Sequence, residues 1–130
     1  MNFDMPVISI DFDGTIVEDE YPNIGDSIDG ARYVINHWYN IGCWIIINSC
    51  RYGIYECDMI SWLNKNNINY HTLNENLQWR IEMHNGNPRK IGADFYIDNK
   101  NIEQKDKVTK EKWVEYNDII MEYLKNRNLI

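Results

Sequence analysis

The sequence predicts an α/β fold, with a Rossmann-like parallel sheet and helices on both faces. Short apolar runs alternate along the chain with segments of helical periodicity, which favours parallel strands joined by right-handed helical crossovers. In addition, Asp11, Ser49 and Asp98 each stand at or just past the end of a separate apolar run. The carboxyl ends of parallel strands share one edge of the sheet, where α/β proteins bind ligands, so these three side chains should lie together.

Length and composition favour one compact domain spanning residues 1–130. The chain has 130 residues, of which 44% are hydrophobic, enough for one core and too few for two ordinary domains. The net charge of −7 gives no electrostatic footprint for nucleic acid or an anionic membrane surface. No apolar segment approaches the roughly 20 residues of a membrane span, and the N-terminus has no targeting pattern. We therefore expect a soluble protein with no membrane partner.

The cysteine content is low and unpatterned. Cys43, Cys50 and Cys57 are odd in number and form no C-x-x-C pair. The spacing indicates neither a disulfide framework nor a zinc site. This usage predicts a cytoplasmic location, where thiols stay reduced.

The first half of the chain begins with a strand and a turn-rich segment. Tyr21-Pro22-Asn23 excludes a regular helix from that segment. The helix that follows should start after Asp26 or Ser27 and end at Gly42. The predicted elements are, in order, a strand over 6–11, a turn-rich segment over 14–25, a helix over 27–41 and a strand over 43–47, the last buried on both faces.

The second half continues the alternation. The next helix should present Ile54, Ile60 and Leu63 to the core. Residues 74–89 are ambiguous, because a short helical pattern there stops at the turn-forming residues 85–88. The remaining elements are predicted as a helix over 54–66, a short strand over 68–71, a fourth strand over 93–97 and an amphipathic helix over 110–126.

The stretch Asp11-Phe12-Asp13-Gly14-Thr15 carries the strongest chemical signal. Two acids separated by one residue can gather Mg²⁺, which prefers oxygen ligands and one or two carboxylates. A plain turn is the alternative, but the β-rich run before Asp11 argues against it. A calcium loop of the EF-hand type requires Gly at its sixth position and Glu at its twelfth, where this chain has Ile16 and Pro22. The calcium interpretation is therefore excluded.

This stretch, together with later residues, resembles the haloacid dehalogenase superfamily of phosphotransferases, whose first motif is a strand ending in Asp-x-Asp-Gly-Thr. The resemblance covers most of the chain. It implies that Asp11 is the nucleophile that forms an aspartyl-phosphate and that Asp13 is the general acid and base. It also implies a flap over residues 14–25, and a Mg²⁺ ion held by Asp11, the carbonyl of Asp13 and Asp98.

The resemblance assigns further residues to phosphate binding and charge stabilisation. Ser49 occupies the position of a phosphate-binding hydroxyl. Its neighbours Cys50 and Arg51 belong to the same motif, and Arg51 could add a bidentate phosphate contact or lie at the surface. Lys90 matches the third-motif lysine that stabilises the charge of nucleophile and phosphate, with Arg89 as an immediate rival for that role.

The last motif departs from the family pattern. Asp98-Asn99 replaces the frequent Asp-Asp pair, so the second residue can offer an amide oxygen to Mg²⁺ but no negative charge. Asp94, on the same strand, is assigned a structural role. Both usual cap positions are filled by the flap, helices and short loops, so the chain resembles small capless members. Four aromatic residues could form a rim around the open site or be ordinary partly buried residues: Tyr21, Tyr52, Tyr55 and Trp79.

Two functions are consistent with these residues. The first is a Mg²⁺-dependent phosphatase that hydrolyses a phosphate monoester of a small molecule or nucleotide, with a homo-oligomer as one way of covering the site. The second is a catalytically weak or inactive metal-binding domain that regulates or binds a partner, suggested by Asn99 and the missing cap.

Overall fold

The computed structural model describes all residues, 1–130, and forms one α/β unit. Its elements, in chain order, are β1 (Val7–Ile10), β2 (Val17–Glu20), β3 (Asn23–Ser27), α1 (Ala31–Ile41), β4 (Trp44–Ile47), α2 (Gly53–Lys65), β5 (Thr72–Leu73), α3 (Gln78–His84), β6 (Phe95–Ile97) and α4 (Lys110–Asn126). None of these helices combines the length and the apolar character needed to cross a membrane.

The main sheet has four parallel strands in the order β5, β4, β1, β6. Ile10, the last residue of β1, is level with Ile47 of β4 on one side and Ile97 of β6 on the other. Every residue of β1 and β4 is buried, as their continuous apolar sequences predict. The predicted fold class, a Rossmann-like parallel sheet flanked by helices and without a cap domain, is confirmed.

The hydrophobic core packs the sheet against the helices that cover it. Trp38 of α1 and Trp113 of α4 are fully buried, with their ring centres 6.0 Å apart. The indole N–H of Trp38 donates to Asn117, and that of Trp113 donates to the backbone carbonyl of Thr15. Both large rings are therefore buried with their polar atoms satisfied. The second of these bonds anchors the loop after β1 to α4.

The segment predicted to be a flap contains a turn followed by a hairpin. The N–H of Ile16 donates to the carbonyl of Phe12 at 2.9 Å, which closes a single turn directly after β1. Strands β2 and β3 then pair antiparallel in a separate two-stranded sheet. The hairpin tip, at residues 21–22, therefore extends from the same edge of the main sheet as Asp11.

Two predicted boundaries are wrong. Helix α1 begins at Ala31 instead of 27, because residues 23–27 pair with β2 and Gly30 adopts a left-handed conformation before the helix. The third strand of the main sheet is Thr72–Leu73 instead of 68–71. Ile68 is buried, but its N–H donates to the carbonyl of Leu63 and so completes the end of α2.

Helices α2 and α3 differ in part from what the sequence predicts. Of the three residues expected to face the core, Leu63 is fully buried and Ile60 is partly buried, but Ile54 is 69% exposed. Met59, which was not predicted, is fully buried. The ambiguous segment 74–89 contains α3, which ends where Asn85 adopts a left-handed conformation. The core-facing stripe of α2 therefore starts later in the helix than the periodicity suggested.

Candidate active site

A cleft opens at the carboxyl edge of the main sheet. The N–H of Asp11 donates to the carbonyl of Ile97 at 2.9 Å, which places Asp11 beside the end of β6, where Asp98 follows. The cleft has a volume of about 550 Å³. Its lining consists of Asp11, Asp13, Asp19, Tyr21, Ser49, Cys50, Arg51, Asp98, Asn99 and Lys100. The three strand-end residues expected to converge, Asp11, Ser49 and Asp98, are thus brought into one cleft.

The side-chain amide of Asn99 sits among the oxygens of the two acidic motifs. One of its terminal atoms lies 3.0 Å from Oδ2 of Asp11, 3.2 Å from Oδ1 of Asp98 and 3.3 Å from the backbone carbonyl of Asp13. The oxygen and nitrogen of an amide occupy nearly equivalent positions. If this atom is nitrogen, it donates to all three acceptors. If it is oxygen, four oxygens meet without a proton between them.

The second orientation of Asn99 suits a divalent cation. Oxygens bound to Mg²⁺ at 2.0–2.1 Å in octahedral geometry lie about 3 Å apart along each edge, close to the distances from the Asn99 amide. The donor set comprises two carboxylates, one backbone carbonyl and one amide, the hard oxygen ligands that Mg²⁺ prefers. No group of three or more His, Cys, Asp or Glu side chains is arranged to hold a metal ion. The residues present therefore fit Mg²⁺ only if backbone and amide oxygens are counted with Asp11 and Asp98.

Close packing holds Asn99 in this position. Gly14 has a φ of +80°, and a Cβ built on it would lie 2.1 Å from Nδ2 of Asn99. Asn99 itself is buried. Glycine is therefore required at position 14 for two reasons: the backbone there is left-handed, and the Asn99 amide occupies the space that a Cβ would fill.

The surroundings of Asp11 disfavour its charged form. Burial raises the pKa of Asp11 to about 7, and the negative charge of Asp98 adds to that rise. The backbone N–H of Phe12 and the hydroxyl of Thr15, which donates to Oδ2 of Asp11 at 3.2 Å, act in the opposite direction. A nucleophilic carboxylate must be ionised. A positive charge between Asp11 and Asp98 would favour that form.

Asp13 is held by Arg51 in a bidentate ion pair. Nε and Nη2 of Arg51 donate to the two carboxylate oxygens of Asp13, each at 2.7 Å. The Arg51 side chain is only 1% exposed. Its hydrogen bond to Asp13 raises the pKa of Arg51, so the guanidinium is charged throughout the accessible pH range.

The remaining hydrogen bonds of the Arg51 side chain are with the flap. Nη1 donates to the carbonyl of Pro22 at 3.0 Å, and Nη2 donates to the carbonyl of Asn23 at 2.9 Å. With the two bonds to Asp13, these contacts use four of the five N–H donors of the guanidinium. The expectation that Arg51 binds substrate phosphate is not supported, because almost all of its donors are already engaged.

Ser49 and Cys50 occupy the loop between β4 and α2. Asn74 accepts a hydrogen bond from the backbone N–H of Ser49 at 2.7 Å, and the Ser49 hydroxyl accepts one from the backbone N–H of Arg51 at 3.1 Å. The loop is thereby fixed with both Ser49 and Cys50 at the cleft wall. The Ser49 hydroxyl retains its own O–H for a ligand oxygen, whereas Cys50 contributes an exposed thiol.

The structure does not bring Lys90 to the cleft. Its ammonium lies 5.1 Å from the ring centre of Tyr96, on the edge strand β6. Arg89 lines a different surface depression, beside Asn76. The lysine that does line the cleft is Lys100, in the loop directly after Asp98 and Asn99. Its backbone N–H donates to Oδ1 of Asp98 at 2.9 Å, which turns the chain across the cleft edge.

The aromatic residues considered as a rim lie in three different environments. Tyr21 lines the cleft from the flap tip and packs against Tyr55 of α2, with ring centres 5.6 Å apart. Trp79 instead packs on Phe3 and Trp44, at the amino end of the sheet. Tyr52 is 72% exposed and makes no aromatic contact. Tyr21 is therefore the one candidate rim residue that lines the cleft.

Several residues at the site were not identified from the sequence. Thr15 supports Asp11, Asp19 lines the flap side of the cleft, and Lys100 supplies a cation. The position of Lys100, just after the strand-end pair Asp98-Asn99, was the one available signal for its role. Asp94, by contrast, has the expected structural role, because its carboxylate accepts hydrogen bonds from the Val7 backbone and from Arg80.

Comparisons with known proteins support the fold. No protein-family model matches the chain. No curated protein matches it either. A solved structure described as a conserved protein coded by a locus from Bacteroides thetaiotaomicron is similar, with 29% identical residues, a TM-score of 0.77 and 92% of each chain covered. This similarity agrees with the α/β architecture over nearly the whole chain, and its description names no activity.

Proposed function

We propose that the chain is a Mg²⁺-dependent phosphatase of the haloacid dehalogenase superfamily that hydrolyses phosphate monoesters. The observation that carries the proposal is the arrangement around Asn99, where Asp11, Asp98 and the carbonyl of Asp13 lie 3.0 to 3.3 Å from one amide atom. A nucleophile candidate, a second acid and the residues of the proposed cation site thus share one cleft at the carboxyl edge of a parallel sheet.

In the proposed reaction, a carboxylate oxygen of Asp11 forms a bond to phosphorus while the bond from phosphorus to the leaving oxygen breaks. The leaving oxygen takes the electron pair and a proton from Asp13. Asp13 then accepts a proton from water, whose oxygen attacks phosphorus and displaces the carboxylate of Asp11. When bound, Mg²⁺ supplies positive charge that offsets the charges of the carboxylates and the phosphate.

The cleft favours small phosphorylated substrates. Its four carboxylates outnumber its two cationic side chains, and one of those cations, Arg51, is already paired with Asp13. Lys100 is the remaining cation at the cleft and the better candidate for contacting phosphate. The acidic walls disfavour a nucleic acid backbone, whereas a metabolite or nucleotide monoester brings fewer charges. No cap domain restricts entry of such a substrate to the cleft. That a second copy of the chain covers the cleft remains a prediction.

The location of the protein is part of the proposal. All three cysteines are free, and Cys50 and Cys57 are exposed. Exposed thiols persist in a reducing compartment. This supports the proposed cytoplasmic location.

Hydrolysis of a generic aryl phosphate tests the proposed activity. We expect turnover with Mg²⁺, loss of turnover in EDTA and recovery when Mg²⁺ is restored. Asp11→Asn should reduce activity to background, because an amide cannot act as the nucleophile. Asp106→Asn, at an exposed position away from the cleft, is the matched control and should retain activity. Activity that persists in EDTA or in Asp11→Asn would contradict the proposal.

A metal-binding regulatory domain is the second candidate. It is favoured by two observations: the third-motif candidate Lys90 lies outside the cleft, and Arg51 is committed to Asp13 and the flap. Under this alternative, Mg²⁺ raises the thermal stability of the protein, but a panel of phosphorylated metabolites is not hydrolysed. Stabilisation together with turnover supports the phosphatase, and stabilisation without turnover supports the regulatory domain.

A further inference from the structure

We propose that Arg51 is a positioning residue that couples the position of the flap tip to the orientation of the Asp13 carboxylate. One guanidinium group binds both partners: Nε and Nη2 hold Asp13, while Nη1 and Nη2 hold the carbonyls of Pro22 and Asn23. The flap tip and Asp13 therefore share one cation, and neither can move far without breaking bonds to it.

The surroundings of Arg51 make this junction rigid. Its guanidinium carbon lies 5.1 Å from the ring centre of Tyr21 and 5.5 Å from that of Phe12. Tyr21 belongs to the flap tip, and Phe12 is fully buried between Asp11 and Asp13. The planar cation is thus enclosed by one ring from each of the parts that it joins, and both contacts are of the cation–π type.

This junction requires a planar side chain with several N–H donors. Arginine can donate two parallel bonds to a carboxylate and still direct other N–H groups to neighbouring carbonyls, whereas a lysine ammonium acts as a point charge with three donors. Lysine at position 51 would keep the charge but could not hold Asp13 in a bidentate manner and reach both Pro22 and Asn23. Arg51→Lys therefore separates the geometry of the junction from its charge.

The coupling also fixes the orientation of Asp13. With both oxygens engaged by Arg51, the carboxylate of Asp13 is held in one orientation. While the flap tip is bound to Arg51, Asp13 is thus held in place for both of its proposed proton transfers. This consequence rests on the proposed phosphatase function, whereas the coupling between Arg51, Asp13 and the flap does not.

Hydrogen exchange of backbone amides tests the coupling without requiring activity. The full chain is measured without added metal as wild type, Arg51→Lys and Asp13→Asn. Because bonds to charged groups are lost, we expect exchange in residues 17–27 to rise about tenfold or more in both variants. Exchange in β4 should not change. Arg80→Lys is the matched control, since it alters an arginine–aspartate pair that lies away from the flap, and it should leave residues 17–27 unchanged.

Each outcome decides the proposal. Unchanged flap exchange in Asp13→Asn would overturn the coupling, whatever Arg51→Lys shows, and this variant suffices if Arg51→Lys does not fold. An equal rise in Arg80→Lys, or wild-type flap amides that exchange as fast as an unfolded chain, would also overturn it. If the enzyme turns over an aryl phosphate, whose leaving oxygen needs little protonation, Arg51→Lys should slow breakdown of the phosphoenzyme more than its formation, so that phosphoenzyme accumulates. A protein without turnover would remove the phosphatase proposal but leave the exchange result standing.

Discussion

The Asn99 amide lies 3.0 Å from Oδ2 of Asp11 and connects the last motif of the chain to the first. In a typical acidic pair, the corresponding residue would add a second negative charge beside Asp98. Here the amide can donate a hydrogen bond to Asp11 when no cation is present, and it can turn its oxygen inward when one is bound. If the proposed Mg²⁺ binds, Asn99 therefore stabilises the cleft both with and without the cation, but it adds no negative charge to the proposed metal site.

Asn99→Asp should increase the dependence of the protein on Mg²⁺. Without metal, a third carboxylate beside Asp11 and Asp98 should lower the melting temperature through like-charge repulsion. With metal, the added charge should tighten Mg²⁺ binding by at least about tenfold. Mg²⁺ titrations followed by thermal melting measure both effects. Asn101→Asp, at a nearby exposed position, is the control for added charge, and an equal response of the two variants would contradict the assignment of Asn99 to the site.

Lys100 and Lys90 can be separated by a matched pair of substitutions. Lys100→Met keeps most of the apolar stem but removes the cleft cation, so kcat/KM for an aryl phosphate should fall by about 10². Lys90→Met removes only a surface ammonium beside Tyr96 and should stay within about twofold of wild type. Steady-state kinetics at saturating Mg²⁺ provides the comparison. The reverse order of effects would restore Lys90 to the role implied by the family resemblance.

Gly14→Ala should disturb both the backbone and the metal site. The substitution forces a left-handed conformation on alanine and brings its Cβ into the Asn99 amide, so we expect a loss of about 1–3 kcal/mol in the free energy of unfolding. The Mg²⁺-induced rise in melting temperature should also shrink, because Asn99 is displaced. Gly86→Ala is the control, since its Cβ would meet nothing within 4 Å. Similar urea denaturation midpoints and Mg²⁺ responses for the two variants would refute this packing explanation.

His71 should make stability fall in mild acid. Burial lowers the pKa of His71 below its ordinary value of 6.5, and the ring accepts a hydrogen bond from the N–H of Ile45 at Nδ1. The unfolded chain therefore binds this proton more readily than the folded one. The stabilising contribution of neutral His71 is present above pH 6.5 and is lost as the pH falls below that value.

The measurement is the free energy of unfolding by urea, in EDTA, at several pH values between 5 and 8. Wild type should lose more stability on acidification than His71→Gln. His37→Gln controls for removing a histidine whose ring is not hydrogen-bonded to the sheet. Identical pH profiles for wild type and His71→Gln would show that His71 does not contribute to this dependence.

The strand-end residues could be predicted because their signal is local. Asp11 and Asp98 each follow a short apolar strand, and a parallel sheet brings the carboxyl ends of such strands together. The third strand was misplaced because Thr72 and Leu73 form only two residues of strand, too few for a pattern. The start of α1 was misplaced because β3 has only Ile24 and Gly25 turned away from solvent and shows no apolar alternation.

The roles of Arg51 and Lys100 could not be predicted for a different reason. Arg51 is buried because the flap tip, about 30 residues earlier in the chain, directs two carbonyls at it. Lys100 belongs to a loop, where sequence periodicity does not predict the direction of a side chain. The roles of Arg51 and Lys100 depend on tertiary contacts of the flap and the loops, whereas the position of Asp11 depends on the strand that precedes it.

Capture of a phosphoryl group on Asp11 tests the proposed chemistry most directly. Wild type and Asp11→Asn are incubated with Mg²⁺ and an aryl phosphate, quenched in acid, digested and examined by mass spectrometry. We predict one phosphoryl group on the wild-type peptide that contains Asp11 and none on the corresponding peptide of the variant, with turnover lost in the variant. Turnover by wild type with no phosphoryl group on Asp11 under rapid quenching, or unchanged turnover in Asp11→Asn, would contradict catalysis through an aspartyl-phosphate.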